Sequence, residues 1–259
     1  MSKQPIGIFD SGVGGTSIWK EINMLLPNES TIYLADSANA PYGLKTKETI
    51  INLSIKNVEY LINQDCKIIV VACNTATTNA IYILRDKYKL PIIGIEPAIK
   101  PAALNTKTKA VGILATKGTL SSELFHKTTD LFARNIKVIE RIGEGLVELI
   151  ESGQLYSETM RNLLKQYLQP MIDANVDYLV LGCTHYPYLM PLLIELLPNN
   201  VKIIDSGEAV ARQTKAVLQK YDLLNNSIAK GNCQFFTNGK TEVLASLLKD
   251  TLDVKYLNF

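Results

Sequence analysis

The chain repeats one short pattern, first as Ile68-Ile69-Val70-Val71-Ala72-Cys73-Asn74-Thr75 and again as Tyr178-Leu179-Val180-Leu181-Gly182-Cys183-Thr184-His185. Each copy is a β-branched or aliphatic run that stops at a small residue, followed by a cysteine and a small polar residue. Consecutive apolar positions indicate a strand buried on both faces, which is typical of a parallel sheet. Such a strand ends at the carboxyl edge of the sheet, where α/β proteins bind their ligands. The repeat therefore predicts a duplicated unit in which a thiol from each copy faces one ligand.

Predicted strands and helices alternate along the chain on both sides of this repeat. The alternation predicts two doubly wound α/β domains, each built on a parallel sheet. Breaks near Glu96-Pro97 and Ser206-Gly207 divide the chain, so that residues 1–96 and 207–259 form the first domain and residues 97–206 the second. We expect the two domains to be pseudo-symmetric, with the active site in the cleft between them.

Three further expectations concern two helices and the end of the chain. One helix runs to about Phe132 from the turn that ends at Thr119, and another opens at Pro187 and continues to Leu197. The residues after Leu248 form a short apolar tail.

A glycine-rich turn, Asp10-Ser11-Gly12-Val13-Gly14-Gly15, follows the first predicted strand and precedes a helix. This layout directs backbone N–H groups and a helix N-terminus at an anion. The turn is not a Walker loop, because no Gly-Lys-Ser/Thr occurs in it, and it lacks the full dinucleotide fingerprint. A tight turn that requires glycine torsions is the alternative. Asp10, at the end of the strand, would either assist a general base or bind an ammonium group.

Composition argues against several classes of protein. Of 259 residues, 47% are hydrophobic and 20% are charged, as in soluble globular proteins. The net charge of +2, with scattered Lys and Glu, argues against nucleic acid, which would require a concentrated basic face. No apolar run reaches the roughly 18 residues of a membrane span, and the start of the chain lacks the apolar core of a signal peptide. We expect a cytoplasmic protein without a membrane partner.

The four cysteines, Cys66, Cys73, Cys183 and Cys233, show no Cys-x-x-Cys spacing. In a reducing compartment they should stay thiols. Because the chain has only two histidines, we expect no zinc site. Cys66 and Cys233 are interpreted as small hydrophobic residues, whereas the position of the other two sets them apart.

Two thiols on opposite sides of one carbon atom can racemise it. One removes a proton from one face and the other returns a proton to the opposite face, so no cofactor is required. A free thiol has a pKa of about 8.5 and becomes a usable base only with help. Each cysteine precedes a predicted helix start, Asn74-Thr75 or Thr184 with Pro187, whose positive end favours the thiolate. Asp10 could assist one thiol and His185 the other.

Three alternatives stay open at this point. A cysteine nucleophile that forms a thioester is favoured by His185, which lies two residues from Cys183. A redox pair would need sulfur atoms within bonding reach, and no residue pattern indicates that. A two-lobed protein that only binds an amino acid fits the fold but leaves both cysteines unexplained.

Four ordered motifs resemble those of the bacterial glutamate racemase family, in the aspartate/glutamate racemase superfamily. They are Asp10-Ser11-Gly12-Val13-Gly14-Gly15, Pro41-Tyr42-Gly43, Ala72-Cys73-Asn74-Thr75-Ala76 and Gly182-Cys183-Thr184-His185-Tyr186-Pro187. The resemblance implies a cofactor-independent isomerase that interconverts L- and D-glutamate and supplies D-glutamate for peptidoglycan. It implies that Cys73 and Cys183 are the catalytic acid/bases. The substrate-binding residues that it implies are Asp10, Ser11, Tyr42, Gly43, Asn74, Thr75, Thr184 and His185.

The same resemblance identifies a third helper. Aligning the segment Leu146-Val147-Glu148-Leu149-Ile150-Glu151 puts the acidic helper of the family at Glu151, with Glu148 or Glu144 as alternatives. A solvated acidic helix face is the non-catalytic interpretation.

Other features bear on substrate and assembly. Aspartate racemases of the superfamily commonly carry Glu at the position of His185, which favours glutamate here. The chain begins almost at the first strand, so we expect it to lack the N-terminal extension that helps some relatives bind a cell-wall precursor activator. The sequence leaves the oligomeric state open, a homodimer included.

Overall fold

Parallel strands form the centre of the computed structural model, which describes residues 3–249 and 252–259. Within these ranges the chain forms ten strands, each parallel to its sheet neighbours. The strands are β1 (Ile6–Asp10), β2 (Thr31–Ala35), β3 (Ile68–Val71), β4 (Ile92–Gly94), β5 (Ala110–Ala115), β6 (Lys137–Ile142), β7 (Tyr178–Gly182), β8 (Lys202–Ile204), β9 (Cys233–Thr237) and β10 (Val254–Tyr256).

The strands make two sheets with matching order. The first sheet runs β10-β9-β2-β1-β3-β4 and the second runs β6-β5-β7-β8. Four strands of the first sheet, in the order β2-β1-β3-β4, therefore correspond to the whole of the second. The two cysteine strands, β3 and β7, occupy the same position in each sheet. This correspondence confirms the prediction of two parallel-sheet α/β domains built on one repeated unit.

Helices connect the strands and cover the sheets. Those in the described residues are α1 (Thr16–Leu25), α2 (Lys47–Asn63), α3 (Asn74–Lys87), α4 (Ile99–Asn105), α5 (Lys117–Leu120), α6 (Glu123–Phe132), α7 (Leu146–Glu151), α8 (Glu158–Asp173), α9 (Met190–Leu196), α10 (Gly207–Lys220) and α11 (Thr241–Leu247). Short 3-10 helices span Ser37–Asn39, Tyr42–Leu44 and Tyr186–Leu189. None of the described helices combines the length and the apolar character that crossing a bilayer requires.

Both faces of the two cysteine strands, β3 and β7, are buried, which explains the consecutive apolar residues of the repeat. In β3, Ile68 and Val70 belong to the hydrophobic cluster that includes α1 and α10, whereas Ile69 and Val71 belong to the cluster of α2 and α3. Side chains alternate across a strand, so a strand covered by helices on both faces has no solvated position. Burial of one such side chain contributes ~1.5–3 kcal/mol relative to its exposure.

Domain boundaries follow only in outline from the sheets. The first sheet takes its strands from residues 6–94 and 233–256, and the second from residues 110–204. The predicted division at residues 96–97 and 206–207 stays a prediction.

The structure corrects several predicted elements. The helix predicted to end near Phe132 is α6, which begins at Glu123 because Ser122 caps it by accepting a hydrogen bond from the Phe125 N–H, and the turn predicted before it contains the short helix α5. The helix predicted to open at Pro187 is a 3-10 helix there, and α9 begins only at Met190. Helix α4 was not predicted, and the apolar tail contains β10, which pairs with β9.

Candidate active site

A small cavity lies where the carboxyl ends of β3 and β7 meet. It is lined by both cysteines of the repeat and by the residues that directly follow them. The lining residues are Ser11, Pro41, Tyr42, Gly43, Cys73, Asn74, Thr75, Thr116, Val147, Cys183, Thr184 and His185. Nine of them were predicted as site residues from the sequence. Asp10 and Glu151 were also predicted but do not line the cavity.

Cys73 lies at the N-terminus of a long helix, as predicted. It caps α3, and its Sγ accepts a hydrogen bond from the Ala76 N–H at 3.4 Å. The same Sγ lies 3.4 Å from Oγ of Ser11. Burial raises the pKa of Cys73 and the nearby Asp10 raises it further, whereas the contacts with Ser11 and Ala76 lower it. The net effect is a raised pKa, which favours the protonated form of the Cys73 thiol.

Cys183 has a different neighbour, which is His185. Its Sγ lies 3.7 Å from Nδ1 of the imidazole. The prediction of a helix N-terminus directly after Cys183 is wrong, because a turn closed by the Tyr186 N–H and the Cys183 carbonyl comes first. The imidazole of His185, and not a helix end, is therefore the group that the structure places beside the Cys183 thiol.

His185 is buried, and its second ring nitrogen, Nε2, is hydrogen-bonded to a carboxylate. Nε2 lies 2.6 Å from Oε1 of Glu151, which is the last residue of α7. Burial alone lowers the pKa of His185, but the hydrogen bonds to Cys183 and Glu151 raise it well above its usual value. The geometry thus lines up Cys183, His185 and Glu151 as a relay, with the Gly14 N–H also 3.3 Å from Nε2.

Glu144 and Glu148, the alternative helpers, lie elsewhere. Both line a neighbouring pocket that shares Pro41, Thr116 and other residues with the cavity. Of the three acidic residues, Glu151 is the one hydrogen-bonded to His185. The geometry favours Glu151, although its role stays a prediction.

The glycine-rich turn binds anions, but they are side chains of the protein. The Val13 N–H donates to Oε1 of Glu151 at 2.7 Å. A Cβ on Gly12 would lie 1.9 Å from that oxygen, and a Cβ on Gly14 would lie 2.3 Å from the ring of His185. Among the described glycines, positive φ occurs only elsewhere in the chain, so the torsion interpretation is wrong. Glycine is required here because the relay of the second domain approaches the turn closely.

Asp10 lies beneath the cavity. Its Oδ2 accepts hydrogen bonds from the N–H groups of Gly12 and Gly15, and its Oδ1 accepts one from the Thr184 hydroxyl at 3.1 Å. Burial raises the pKa of Asp10, and the nearby His185 partly offsets that rise. These bonds make Asp10 a link between the turn and Thr184. The predicted roles of Asp10 in catalysis and in binding the substrate ammonium group stay predictions.

Tyr42 and Gly43 form one wall of the cavity. The Tyr42 hydroxyl donates to Asp36 and accepts from Asn57, so its hydrogen bonds are made to other protein side chains. Gly43 packs against Thr116, since a Cβ on Gly43 would lie 2.9 Å from Cβ of that residue. The two residues therefore shape the cavity through the tyrosine ring and the backbone.

The start of α3 presents polar groups that suit a zwitterionic ligand. The first N–H groups of a helix have no intrahelical acceptor and are suited to a carboxylate. Oδ1 of Asn74 is buried on the cavity wall, and no described group hydrogen-bonds to it. The Thr75 hydroxyl lies 2.7 Å from that of Thr116 across the cleft. An unpaired buried oxygen is costly unless a ligand supplies its partner.

Sequence reasoning missed three lining residues, which are Pro41, Thr116 and Val147. Thr116 had a signal, because it follows β5 as the polar turn residues follow β1 in the first unit. Val147 had none, since an apolar residue on α7 resembles any core position.

The two cysteines outside the cavity, Cys66 and Cys233, are free thiols, as are Cys73 and Cys183. Cys66 packs against Gly7 in the core, which fits its interpretation as a small hydrophobic residue. Among residues 3–249 and 252–259, no three His, Cys, Asp or Glu side chains come together as a metal-binding group.

Comparison with known proteins yields a consistent group of relatives. The family model of the Asp/Glu/hydantoin racemases matches residues 6–214. A glutamate racemase of Herpetosiphon aurantiacus is 45% identical over 239 residues, which cover 92% of this chain and 94% of that protein.

Solved structures of glutamate racemases are also similar to this chain over nearly its whole length. The glutamate racemase of Francisella tularensis in complex with D-glutamate has a TM-score of 0.85 and 29% identity, covering 100% of this chain and 98% of that one. The Escherichia coli glutamate racemase in complex with L-glutamate and the activator UDP-MurNAc-Ala has a TM-score of 0.86 and 33% identity, covering 98% of both chains.

Proposed function

The chain belongs to the Asp/Glu/hydantoin racemase family, and we propose that it interconverts L- and D-glutamate without a cofactor. The observation that carries the proposal is the presence of two thiols, Cys73 and Cys183, on the wall of one small cavity. Two acid/bases are what inversion at a single carbon requires, because the proton leaves one face and returns to the other.

In this mechanism the two thiols exchange roles. Cys183, in its thiolate form and with the imidazole of His185 3.7 Å from its Sγ, removes the Cα proton from one enantiomer. Cys73, whose burial holds its proton, donates that proton to the opposite face of the carbanion. Protonated imidazole donates from both nitrogens, so His185 can bond the thiolate and Glu151 together. The other enantiomer reacts by the reverse steps, starting from a Cys73 thiolate.

The difficult step is removal of a weakly acidic Cα proton without an electron sink. Fixed donors around the α-carboxylate stabilise the charge that develops there. The N-terminus of α3 and the hydroxyls of Thr75 and Thr116 supply such donors on the cavity wall. Oδ1 of Asn74 is an acceptor that suits the ammonium group of the substrate.

Glutamate is the proposed substrate for two reasons. His185 stands where aspartate racemases of the superfamily commonly carry Glu. The solved relatives from Francisella tularensis and Escherichia coli hold D-glutamate and L-glutamate respectively.

We propose further that the reaction supplies D-glutamate for peptidoglycan. A reducing compartment such as the cytoplasm keeps both thiols free, and we propose that the reaction takes place there. The homodimer stays a prediction.

Exchange at Cα tests the proposal. Each enantiomer of glutamate, incubated with the purified protein in D2O without any added cofactor, should gain deuterium at Cα as it inverts. Aspartate in a parallel incubation serves as the substrate control and should exchange far more slowly. A folded protein that leaves the Cα protons of both glutamate enantiomers in place would refute the proposed function.

A further inference from the structure

The carboxylate of Glu151 is held by groups from the other domain. Oε1 contacts His185 and also accepts the Val13 N–H, and Oε2 accepts a hydrogen bond from the Ser37 hydroxyl at 2.9 Å. His185 and Glu151 belong to the elements of the second sheet, whereas Val13 and Ser37 follow β1 and β2 of the first. The side chain of Glu151 is only 13% exposed, so water competes little for these contacts.

Ser37 is itself fixed in place. It begins the 3-10 helix Ser37–Asn39, in which the Ala38 N–H donates to Oδ1 of Asn238 at 2.8 Å. Asn238, which follows β9, and Asn39 both donate to Oδ1 of Asp36. The Ser37 hydroxyl therefore belongs to a short segment that is held by hydrogen bonds before and after Ser37.

We propose that Ser37 is a positioning residue for the Cys183 half of the reaction. Its hydroxyl and the Val13 N–H together orient the Glu151 carboxylate so that one oxygen meets Nε2 of His185. The relay of Cys183, His185 and Glu151 is then complete only when the two domains are in contact. Closure of the cleft therefore determines whether His185 can assist the Cys183 thiol. This inference rests on the proposed racemase activity for its kinetic consequence, but the contact itself can be tested without turnover.

Three titratable groups face His185. They are Cys183 at the end of β7, Glu151 at the end of α7 and Asp10 at the end of β1. Of these, Glu151 is the one that Ser37 touches. Removal of the Ser37 hydroxyl should let the carboxylate rotate away from the imidazole, so that the imidazole holds its proton less firmly.

The test compares Ser37→Ala with a matched control, Ser152→Ala. Ser152 lies directly after Glu151, and its hydroxyl donates to the Leu149 carbonyl instead of the relay. We expect Ser37→Ala to lower kcat about tenfold with little change in KM, because a hydrogen bond to a charged group is lost while the Val13 donor remains. Ser152→Ala should match the wild type. Unchanged kcat in Ser37→Ala would overturn the proposal.

An NMR titration separates this inference from the racemase assignment. The chain has two histidines, so the His185 ring signal is assigned with a single His126→Gln variant. Ser37→Ala should lower the pKa of His185 relative to the wild type and Ser152→Ala. The same substitution should have no effect on that pKa in a Glu151→Ala background, because Ser37 acts through Glu151.

Two results of the titration would contradict the proposal. A His185 pKa that is unchanged or raised in Ser37→Ala would mean that the carboxylate keeps its place without the hydroxyl. An equal fall in the Glu151→Ala background would mean that Ser37 acts by another route. Both results can be read even if the protein shows no racemase activity.

Discussion

The Nε2 atom of His185 lies 2.6 Å from Oε1 of Glu151, which joins a buried imidazole after β7 to a carboxylate at the end of α7. The same imidazole reaches Cys183 through Nδ1. The other thiol, Cys73, has no imidazole and relies on the N-terminus of α3 and on Ser11. The two acid/bases of the proposed reaction are therefore supported by different groups, and substitutions can address them separately.

Glu151→Gln should slow the reaction by weakening the hold on the imidazole proton. The charge-assisted hydrogen bond is worth ~1.5–3 kcal/mol, which corresponds to about a 10–100-fold loss of kcat. Because the neutral amide no longer raises the pKa of His185, the alkaline limb of the kcat/KM profile should move to lower pH. Glu148→Gln, on the same helix but facing the neighbouring pocket, is the control. Equal profiles for the two variants would show that Glu151 is not the helper.

The stability of the protein should depend on the charge of His185. Burial lowers its pKa, but the hydrogen bonds to Cys183 and Glu151 outweigh burial and raise the pKa well above 6.5. A raised folded-state pKa contributes stability that is fully present below the unfolded pKa and is lost as pH rises through the folded value.

The free energy of unfolding of the wild type should therefore exceed that of His185→Gln most at low pH. Urea unfolding at about pH 6 and about pH 9 measures the difference, which should shrink at the higher pH. His126→Gln, on α6 outside the site, should show no such change. A difference that grows with pH would reverse the assigned sign and contradict the charged imidazole.

Gly12→Ala should damage both the fold and the relay. Its Cβ would lie 1.9 Å from Oε1 of Glu151, so the carboxylate or the turn must move. Overpacking of this kind costs ~1–3 kcal/mol of unfolding free energy. Gly94→Ala is also crowded, with its Cβ 2.6 Å from Cγ2 of Thr77, but lies outside the cavity lining. We expect both variants to lose stability and only Gly12→Ala to lose kcat; a similar kcat for the two would contradict the proposed function of the glycine.

Asn74→Ala should weaken substrate binding at no cost in stability. Oδ1 of Asn74 is buried without a described protein partner, so its removal relieves a desolvation penalty in the free protein. In the complex the same change removes an acceptor for the ammonium group, and KM should rise about tenfold. Thr106→Val, which breaks a buried bond to Asp177 far from the site, should show the opposite pattern. A lower unfolding free energy with unchanged KM would contradict this assignment of Asn74.

The repeated cysteine strands could be predicted because a strand buried on both faces leaves a plain pattern in the sequence. The pattern placed Cys73 and Cys183 at equivalent strand ends, and the cavity contains both. The element after a strand is harder to predict. Pro187 resembles a helix start, yet the helix α9 begins only at Met190 after a 3-10 turn.

Contacts across the cleft could not be predicted from local patterns. Glu148 and Glu151 lie one helical turn apart, and Glu151 is distinguished by its contacts with His185, Val13 and Ser37. These contacts join segments that lie far apart in the chain, so local sequence patterns do not encode them.

In the proposed mechanism, Cys73 and Cys183 act as a pair. The direct test is the rate of glutamate racemisation, followed by circular dichroism, in Cys73→Ala and Cys183→Ala with Cys66→Ala as the control. Each of the first two should lose at least about 10³-fold in kcat/KM while its unfolding transition stays cooperative, and the control should keep its activity. Racemisation near the wild-type rate in either variant would contradict the claim, and loss in Cys183→Ala alone would favour a single cysteine nucleophile.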